Sequence, residues 1–460
     1  MVDVARALRT KPGESVAFVG AGGKTTAMFR LARALRPPVL VTTTTRMSLA
    51  QAALADHHHI IPAYAEMVTS EFTKLEGVTL LSGEITQDGH ITWLSEEMLN
   101  RIFQMASQNE ISLLIEADGA RQLPLKAPAV HEPVIPRFVT FTVVLAGLSV
   151  LGKPLGDEWV HRPERFAKIA GMHIGQSIEP EDLAKVLTDP DGGLKGIPPN
   201  ARRIALLNQA DTPELQAMAR QLAPGLLQEY DAVIVASFNP PASGAQQEQG
   251  RTIGFKSTSQ VDIYAIHERV AGVILAAGRS QRMGRPKLLL PWRGKPLIRH
   301  VVEAALQANL DPLIVVTGDA SAQVAHMVEG MKVQLVFNPD WSSGQSTSVH
   351  CGIKVLPSNI GATVFLLADQ PQIPSTLIEA LIENHTSNLA PIVAPLVAGQ
   401  RGNPVLFDRV TFPDLLTIQG DIGGRAIFSK HPVSWVEWHD PRILLDVDDE
   451  GDYARLLEIP

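Results

Sequence analysis

Short apolar runs recur along the chain, each closing on small, hydroxyl or charged residues. Ser15 to Gly20, Val39 to Thr42, Ser112 to Ile115, Ile204 to Leu207 and Ala232 to Val235 read as strands of the first half. Val273 to Leu275, Leu313 to Thr317, Val333 to Phe337, Val364 to Ala368 and Ile443 to Leu445 do so in the second. Uninterrupted runs of this length read as buried strands. Helix-compatible stretches, such as Thr25 to Leu35 and Pro296 to Ala308, lie between them. Strand and helix alternate throughout, which predicts an α/β protein of mostly parallel, doubly wound sheets. Pro240 to Gln260 breaks the pattern with a polar stretch rich in Gln, Gly and Ser, as expected of a connection. Two domains are therefore expected, 1–255 and 270–460, with a linker over 256–269. The triple histidine at 57–59 reads as a surface turn, because consecutive histidines cannot all face one metal.

Composition narrows the classes. With 460 residues, 45% apolar and 19% charged, the chain has ample material for globular cores. A net charge of −8 argues against general nucleic-acid affinity and assigns basic residues to local anionic ligands. The single cysteine, Cys351, excludes an internal disulfide framework, suits a reducing compartment and reads as a small buried apolar residue. No long apolar segment opens the sequence, and the run from Phe141 to Gly152 is too short for a bilayer. A cytoplasmic protein without a membrane partner is expected.

The strongest chemical signal is the stretch from Ala271 to Lys287. Val273-Ile274-Leu275 runs into Ala276-Ala277-Gly278, then into a loop carrying Arg279, Arg282, Arg285 and Lys287, broken by Gly284 and Pro286. Small residues at a strand end let a base or ribose approach the main chain, and the cations neutralise a polyphosphate. A second apolar run delivers Asp369 to a strand end before Gln370-Pro371, a position from which a carboxylate holds Mg²⁺ beside a triphosphate. Ile443 to Asp448 reads as a further strand, closing on the same-face carboxylates Asp446 and Asp448.

Leu275 to Lys287 resembles the LAAGxSxRMGxxK signature of sugar- and cofactor-nucleotidyltransferases. Within that group, residues 270–458 look most like the molybdopterin cytidylyltransferases, which transfer CMP from CTP to the terminal phosphate of molybdopterin. The resemblance implies a Rossmann-like nucleotidyltransferase domain binding CTP at Leu275, Ala276, Ala277 and Gly278, with Arg282 and Lys287 on the phosphates. It also implies Mg²⁺ on Asp369 and Asp446, with Arg282, Lys287 and Asp369 as the catalytic set. Ser348 would begin a helix beneath the base, a place where serine is equally a plain cap. Asn403 and Gly424 fall in segments that resemble the pterin side. Attack by an acceptor phosphate needs no protein nucleophile. The alternative on this fold is a sugar- or alcohol-phosphate nucleotidyltransferase.

In the first half, Gly20-Ala-Gly22-Gly23-Lys24-Thr25-Thr26 separates a strand from a helix, the arrangement of a phosphate-binding loop. Phe18 stands where the strict pattern has glycine, so this is the shorter GxGGKTT form, similar to that of the Mur ligases. Lys24 would reach the β/γ oxygens and Thr25 would hold Mg²⁺. Asp118, with Glu116 as runner-up, is the carboxylate expected to hold that metal or its water. Thr43 to Arg46 reads either as a nucleotide or anionic-substrate edge or as a threonine-rich β edge. The loop bearing Arg121, Lys126 and His131, stiffened by Pro124, Pro128 and Pro133, reads either as an anion clamp or as a connection. Asn208 and Asp211 stand where phosphate-loop GTP-binding proteins read guanine, though Gln209 replaces their lysine; a helix cap at Asp211-Thr212 is the rival. GAGGKTT, TTTTRM, EADGARQLPLKAP, HEPVIP and GKPLGDEWVHRPERF together resemble the YqeC-type accessory proteins linked to selenium-dependent molybdenum hydroxylases, over about residues 10 to 255. That resemblance implies ATP or GTP as ligand and a molybdenum hydroxylase apo-enzyme as partner, whether the half works as an enzyme or as a cofactor-insertion chaperone.

Overall fold

A computed structural model describes residues 2–62, 75–238, 262–278 and 283–459. The linker stretch Pro240 to Gln260 and the loop residues Arg279 and Arg282 lie outside the described residues. The chain forms two compact units, Met1–His267 and Glu268–Pro460.

The first unit is built on β1 (Ser15–Gly20), β2 (Val39–Thr43), β3 (His57–Ile60), β4 (Val78–Ser82), β5 (Ser112–Glu116), β6 (Phe141–Gly147), β7 (Arg202–Asn208) and β8 (Ala232–Ser237). They form a sheet in the order β8-β7-β6-β1-β5-β2-β4-β3, parallel at every pairing. Parallel sheets need both faces covered, which is why β1, β2, β5 and β6 are apolar without alternation. The triple histidine lies in β3, paired with β4 through His57↔Thr79 and His58↔Leu80, so it is an edge strand and not the expected turn. The strand order reverses at β1, where successive connections turn to opposite sides, toward β5 and toward β6; this is where an open α/β sheet leaves a crevice beyond its strand ends.

The second unit holds β9 (Asp262–Ala276, from Glu268 onward), β10 (Leu313–Thr317), β11 (Gln334–Phe337), β12 (Ile360–Leu367), β13 (Ile392–Val397), β14 (Val405–Asp408) and β15 (Val433–Glu437). Their order is β11-β10-β9-β12-β14-β13-β15, with β14 antiparallel to both neighbours and the other pairings parallel. Alternate residues of β9 feed opposite faces. Ile274 packs with Val315 and Leu366 on one side, Val273 with Ile314 and Phe365 on the other. Here the crevice falls between β9 and β12, with the Leu275 carbonyl accepting from the Ala368 N–H at 3.2 Å.

Two expected elements take another form. Ile443 to Leu445 is no strand: Pro441–Leu444 forms a 3₁₀ turn opened by Pro441 and capped by the Asp440 side chain on the Arg442 N–H. Proline at a first turn and an aspartate cap favour that turn over a sheet pairing. Ser348 does not begin its helix either. The helix is Gln345–Lys354, entered from Gly344 at φ 114°, and Ser348 stands in its first turn. A side chain at Gly344 would also meet the Gly420 backbone at 2.4 Å.

Gly20 fixes the end of β1. It sits at φ 91°, and a Cβ there would lie 2.2 Å from the Leu145 carbonyl oxygen of β6. Gly20→Ala is expected to destabilise the first sheet by about 2 kcal/mol, hastening amide exchange in β1 and β6 about thirtyfold while β9 and β12 keep native rates. Native protection throughout would show that the strand ends part without strain.

Candidate active site

A cleft of about 900 Å³ opens over the strand ends of the second unit. Leu275, Ala276, Ala277 and Gly278 form one wall, and Lys287, Asp369, Asp446 and Asp448 gather at one place. Ser348, Asn403 and Gly424 line it as well, whereas Arg285 does not and pairs instead with Glu450 at 2.9 Å. Gly318 lets the chain close behind the small-residue wall: a Cβ there would lie 2.8 Å from the Ala277 carbonyl oxygen and 2.9 Å from Trp341.

Lys287 is the electrostatic centre. Its ammonium donates to Asp369 at 2.6 Å and to Asp448 at 2.9 Å. Burial works against the charged ammonium, but the two carboxylates outweigh it and raise the lysine above its ordinary range. Asp446 accepts from Gln370 Nε2 and, among the described residues, makes no ion pair. Loss of water within the cleft wall, then the neighbouring Asp369 charge, push its carboxyl up to about 6. Val447 holds the pair in place, being buried against Trp292, Leu297 and Leu456, while its N–H donates to the Asp369 carbonyl at 3.2 Å. Both carboxylates thus reach the cleft from an irregular segment rather than from a strand.

Ser348 Oγ accepts from the fully buried Asn338 Nδ2 at 3.0 Å, bracing the loop that precedes the helix. Gly424 makes room for the Phe407 ring, whose Cζ would lie 2.4 Å from an added Cβ. Cys351, half-buried on the same helix, has its thiol pushed up by burial, which suits packing rather than nucleophilic chemistry. Sequence reasoning singled out neither Trp341 nor Arg401, and Arg425 entered only as the end of the segment that resembles the pterin side. No periodicity marks them, because turns and a short hairpin carry them.

The first unit gathers a second constellation where β1, β5, β7 and β8 end. Gly23, at φ 114°, leads into the helix Lys24–Ala34, whose first turn carries Thr25 and Thr26. Lys24 donates to the Gly20 carbonyl at 2.7 Å and pairs with Asp118 at 3.3 Å, both side chains nearly fully buried. Asp118 also accepts from the Gly20 N–H at 3.0 Å and from Lys126 at 2.8 Å. Glu116, rather than Asp118, meets Thr25, at 2.8 Å. Burial first, against the opposing pull of Lys24, holds the Glu116 carboxyl above its usual range.

Asn208 braces this loop, donating to the Gly22 carbonyl at 2.6 Å and accepting from the Phe238 N–H at 3.1 Å. Asp211 accepts from Ser237, and the helix cap is Thr212, on the Leu215 N–H. Thr43 and Thr44 hydroxyls bond the carbonyls of Glu116 and Val134, so they tie strand ends together. The proline-stiffened loop lies on the glycine loop, the Gly22 N–H donating to Leu123 at 3.1 Å. Lys126 and Arg162 converge there on Glu132, at 2.9 and 2.7 Å.

Among the described residues no helix is long and apolar enough to cross a membrane, and no three His, Cys, Asp or Glu side chains converge as a metal cage.

The sequence matches the YqeC protein family over residues 16–164 and the MobA-like NTP transferase domain over residues 272–435. It is 32% identical over 221 residues to YqeC of Escherichia coli (strain K12), a match spanning 47% of this chain and 83% of that one. It is 31% identical over 198 residues to nicotine blue oxidoreductase of Paenarthrobacter nicotinovorans, spanning 41% of this chain and 96% of that one. Among solved structures, Rv0371c from Mycobacterium tuberculosis H37Rv is 31% identical, with a TM-score of 0.39, over 41% of this chain and 98% of that one.

The raised Asp446 carboxyl carries a sign. The folded state holds that proton more tightly than the unfolded chain, so its contribution to stability falls as pH rises from about 4 through 6. Asp446→Asn removes the decline. Because the carboxyl opens to solvent, the variant should gain only about 1 kcal/mol on the native chain between pH 4 and 7, read from urea unfolding in chelator. An equal pH dependence in both proteins would contradict the shift.

Proposed function

This chain belongs to two families, joining a YqeC part to a MobA-like NTP transferase part, and from that premise we propose that it transfers CMP from CTP to molybdopterin. The second part is a nucleotidyltransferase domain; the base, the acceptor and the metal are the content of the proposal. One observation carries it: the backbone wall Leu275–Gly278 and the Lys287–Asp369–Asp448 cluster, with Asp446 beside it, share one cleft.

The acidic cluster suits Mg²⁺. Asp369 and Asp448 already share one cation, the Lys287 ammonium, and Asp446 carries a carboxyl that a further cation would relieve. The absence of a complete protein cage among the described residues fits an ion that keeps water and takes substrate phosphates as ligands. Asp369 and Asp446 would hold it, with Asp448 as neighbour, and when bound it would withdraw charge from the α-phosphate. Small residues at 276–278 admit the nucleotide to the main chain, and Lys287 stands ready to exchange a carboxylate for a phosphate oxygen. Arg282, outside the described residues, is assigned to the same phosphates. Asn403 and Gly424 are assigned to the pterin side of the cleft. The acceptor's terminal phosphate attacks the α-phosphorus in line, a new P–O bond forms, and pyrophosphate leaves with the α–β bridging oxygen. No protein nucleophile is needed.

For the first part, the reading is ATP or GTP on the glycine loop Gly20–Gly23, with Lys24, Thr25 and Thr26 toward the phosphates. The Thr25–Glu116 contact supports a metal position there, and Asp118 orders Lys24. The Asn208 bonds to Gly22 and Phe238 support a bracing role more than base recognition. In this reading the protein is cytoplasmic and serves a molybdenum hydroxylase of the selenium-dependent class.

Incubating the full chain with each NTP, Mg²⁺ and molybdopterin should yield one cytidylylated product by mass; transfer to sugar phosphates alone would replace the acceptor. Asp369→Asn should lower turnover at least about a hundredfold while CTP still binds in equilibrium titrations. Near-normal turnover would remove Asp369 from the metal. Lys24→Ala should abolish nucleotide binding in the first unit and leave CMP transfer intact, whereas loss of transfer would reveal gating of one site by the other.

A further inference from the structure

The cleft has a second charged end that the transfer reading does not use. Arg401 comes from the short strand Gln400–Arg401, paired antiparallel with β13 through Leu396↔Arg401, and Arg425 from the turn Gly424–Ile427. Both line the cleft. Among the described residues neither guanidinium has a carboxylate partner, unlike Lys287 at the acidic end. Asp421, close to Arg425 in sequence, accepts instead from the Gln345 N–H at 3.3 Å.

Arg401 is positioned without a carboxylate. Its guanidinium lies over the Phe428 ring, 4.9 Å from the centroid. Phe428 in turn packs edge-on against Phe407 at 6.2 Å and tilted against Trp435 at 6.3 Å. Stacking of this kind fixes the plane of the fork and leaves its N–H donors for a second partner. Burial, then the neighbouring Arg425 charge, hold Arg401 below its usual range. Two guanidinium groups that line one cleft, the charge of one acting on the other, are both relieved by a dianion with several oxygens.

We infer that Arg401 and Arg425 form the subsite that receives the acceptor through its terminal phosphate monoester. The inference rests on the transfer reading for the word acceptor, and on the geometry alone for the anion. An attacking phosphate dianion must approach a triphosphate that repels it, so it requires cations other than those engaged by the nucleotide. The aromatic ladder behind Arg401 supplies one such cation at a fixed place, and Arg425 supplies its partner. Attack then proceeds with the balance given above, one P–O bond made and one broken.

The test uses the full chain and inorganic phosphate as probe, titrated calorimetrically in the presence of saturating CTP without Mg²⁺. Arg401→Ala and Arg425→Ala should each weaken phosphate binding at least about tenfold, with CTP affinity within about twofold of native. Arg401→Lys, which keeps the charge but loses the fork, should recover only part of the loss. Unchanged phosphate affinity, or an equal loss of CTP affinity, would overturn the subsite. With an accepted phosphate ester in turnover, the Ala variants should raise KM for that ester and leave KM for CTP unchanged. A native protein that transfers to no phosphate ester would defeat the transfer reading, while the phosphate titration would still decide the subsite.

Discussion

The second unit depends on one ammonium held between two carboxylates. Lys287 comes from the loop after β9, Asp369 from the end of β12, and Asp448 from the segment after the 3₁₀ turn. Few donors join three such segments in a half-buried place without leaving a charge uncompensated. Removing either carboxylate would leave Lys287 under-neutralised, and removing Lys287 would leave Asp369 and Asp448 without their shared cation. The backbone bond from Val447 to Asp369 and the burial of Val447 then set the angle at which Asp446 and Asp448 meet the cleft.

The first unit uses the same device more deeply. Lys24 is locked by Asp118 and the Gly20 carbonyl, and Asp118 is shared with Lys126, which is shared with Glu132 and Arg162. Burial opposes the Glu132 charge, yet Arg162 and Lys126 hold its carboxyl down to about 2. His161 is held at about 4 by burial first and by the Arg162 charge second. The glycine loop is therefore wired to the proline-stiffened loop by a chain of charge pairs. A group that takes Lys24 from Asp118 necessarily disturbs Lys126 as well.

Much of this was legible because strand ends are chemically distinctive. Apolar runs closing on Gly20, Glu116, Ala276 and Ala368 locate the carboxyl edge of each sheet, where open α/β folds keep their clefts. Asp446 and Asp448 were found for a reason that fails: their i,i+2 spacing fits a strand face, but Pro441 and the Asp440 cap make a turn. They still face one way because Val447 between them is buried. The histidines at 57–59 gave no sign of a strand, since their pairing with β4 is set by backbone register rather than side-chain pattern. Arg401 was silent because a cation over an aromatic ring comes from tertiary packing, which no local spacing encodes, whereas Arg425 ends the segment that resembles the pterin side.

The Lys287 contacts join residues 82 and 161 positions apart. Contacts of that separation are closed late, because loop entropy must be met before they return anything. A half-folded second unit with β9 and its small-residue turn in place would still lack the carboxylates from both distant segments. Any ligand that needs the complete cluster recognises only chains that have finished folding, and by mass action it draws the population toward them. The cleft is thus a proofreader of its own assembly as much as a place for chemistry.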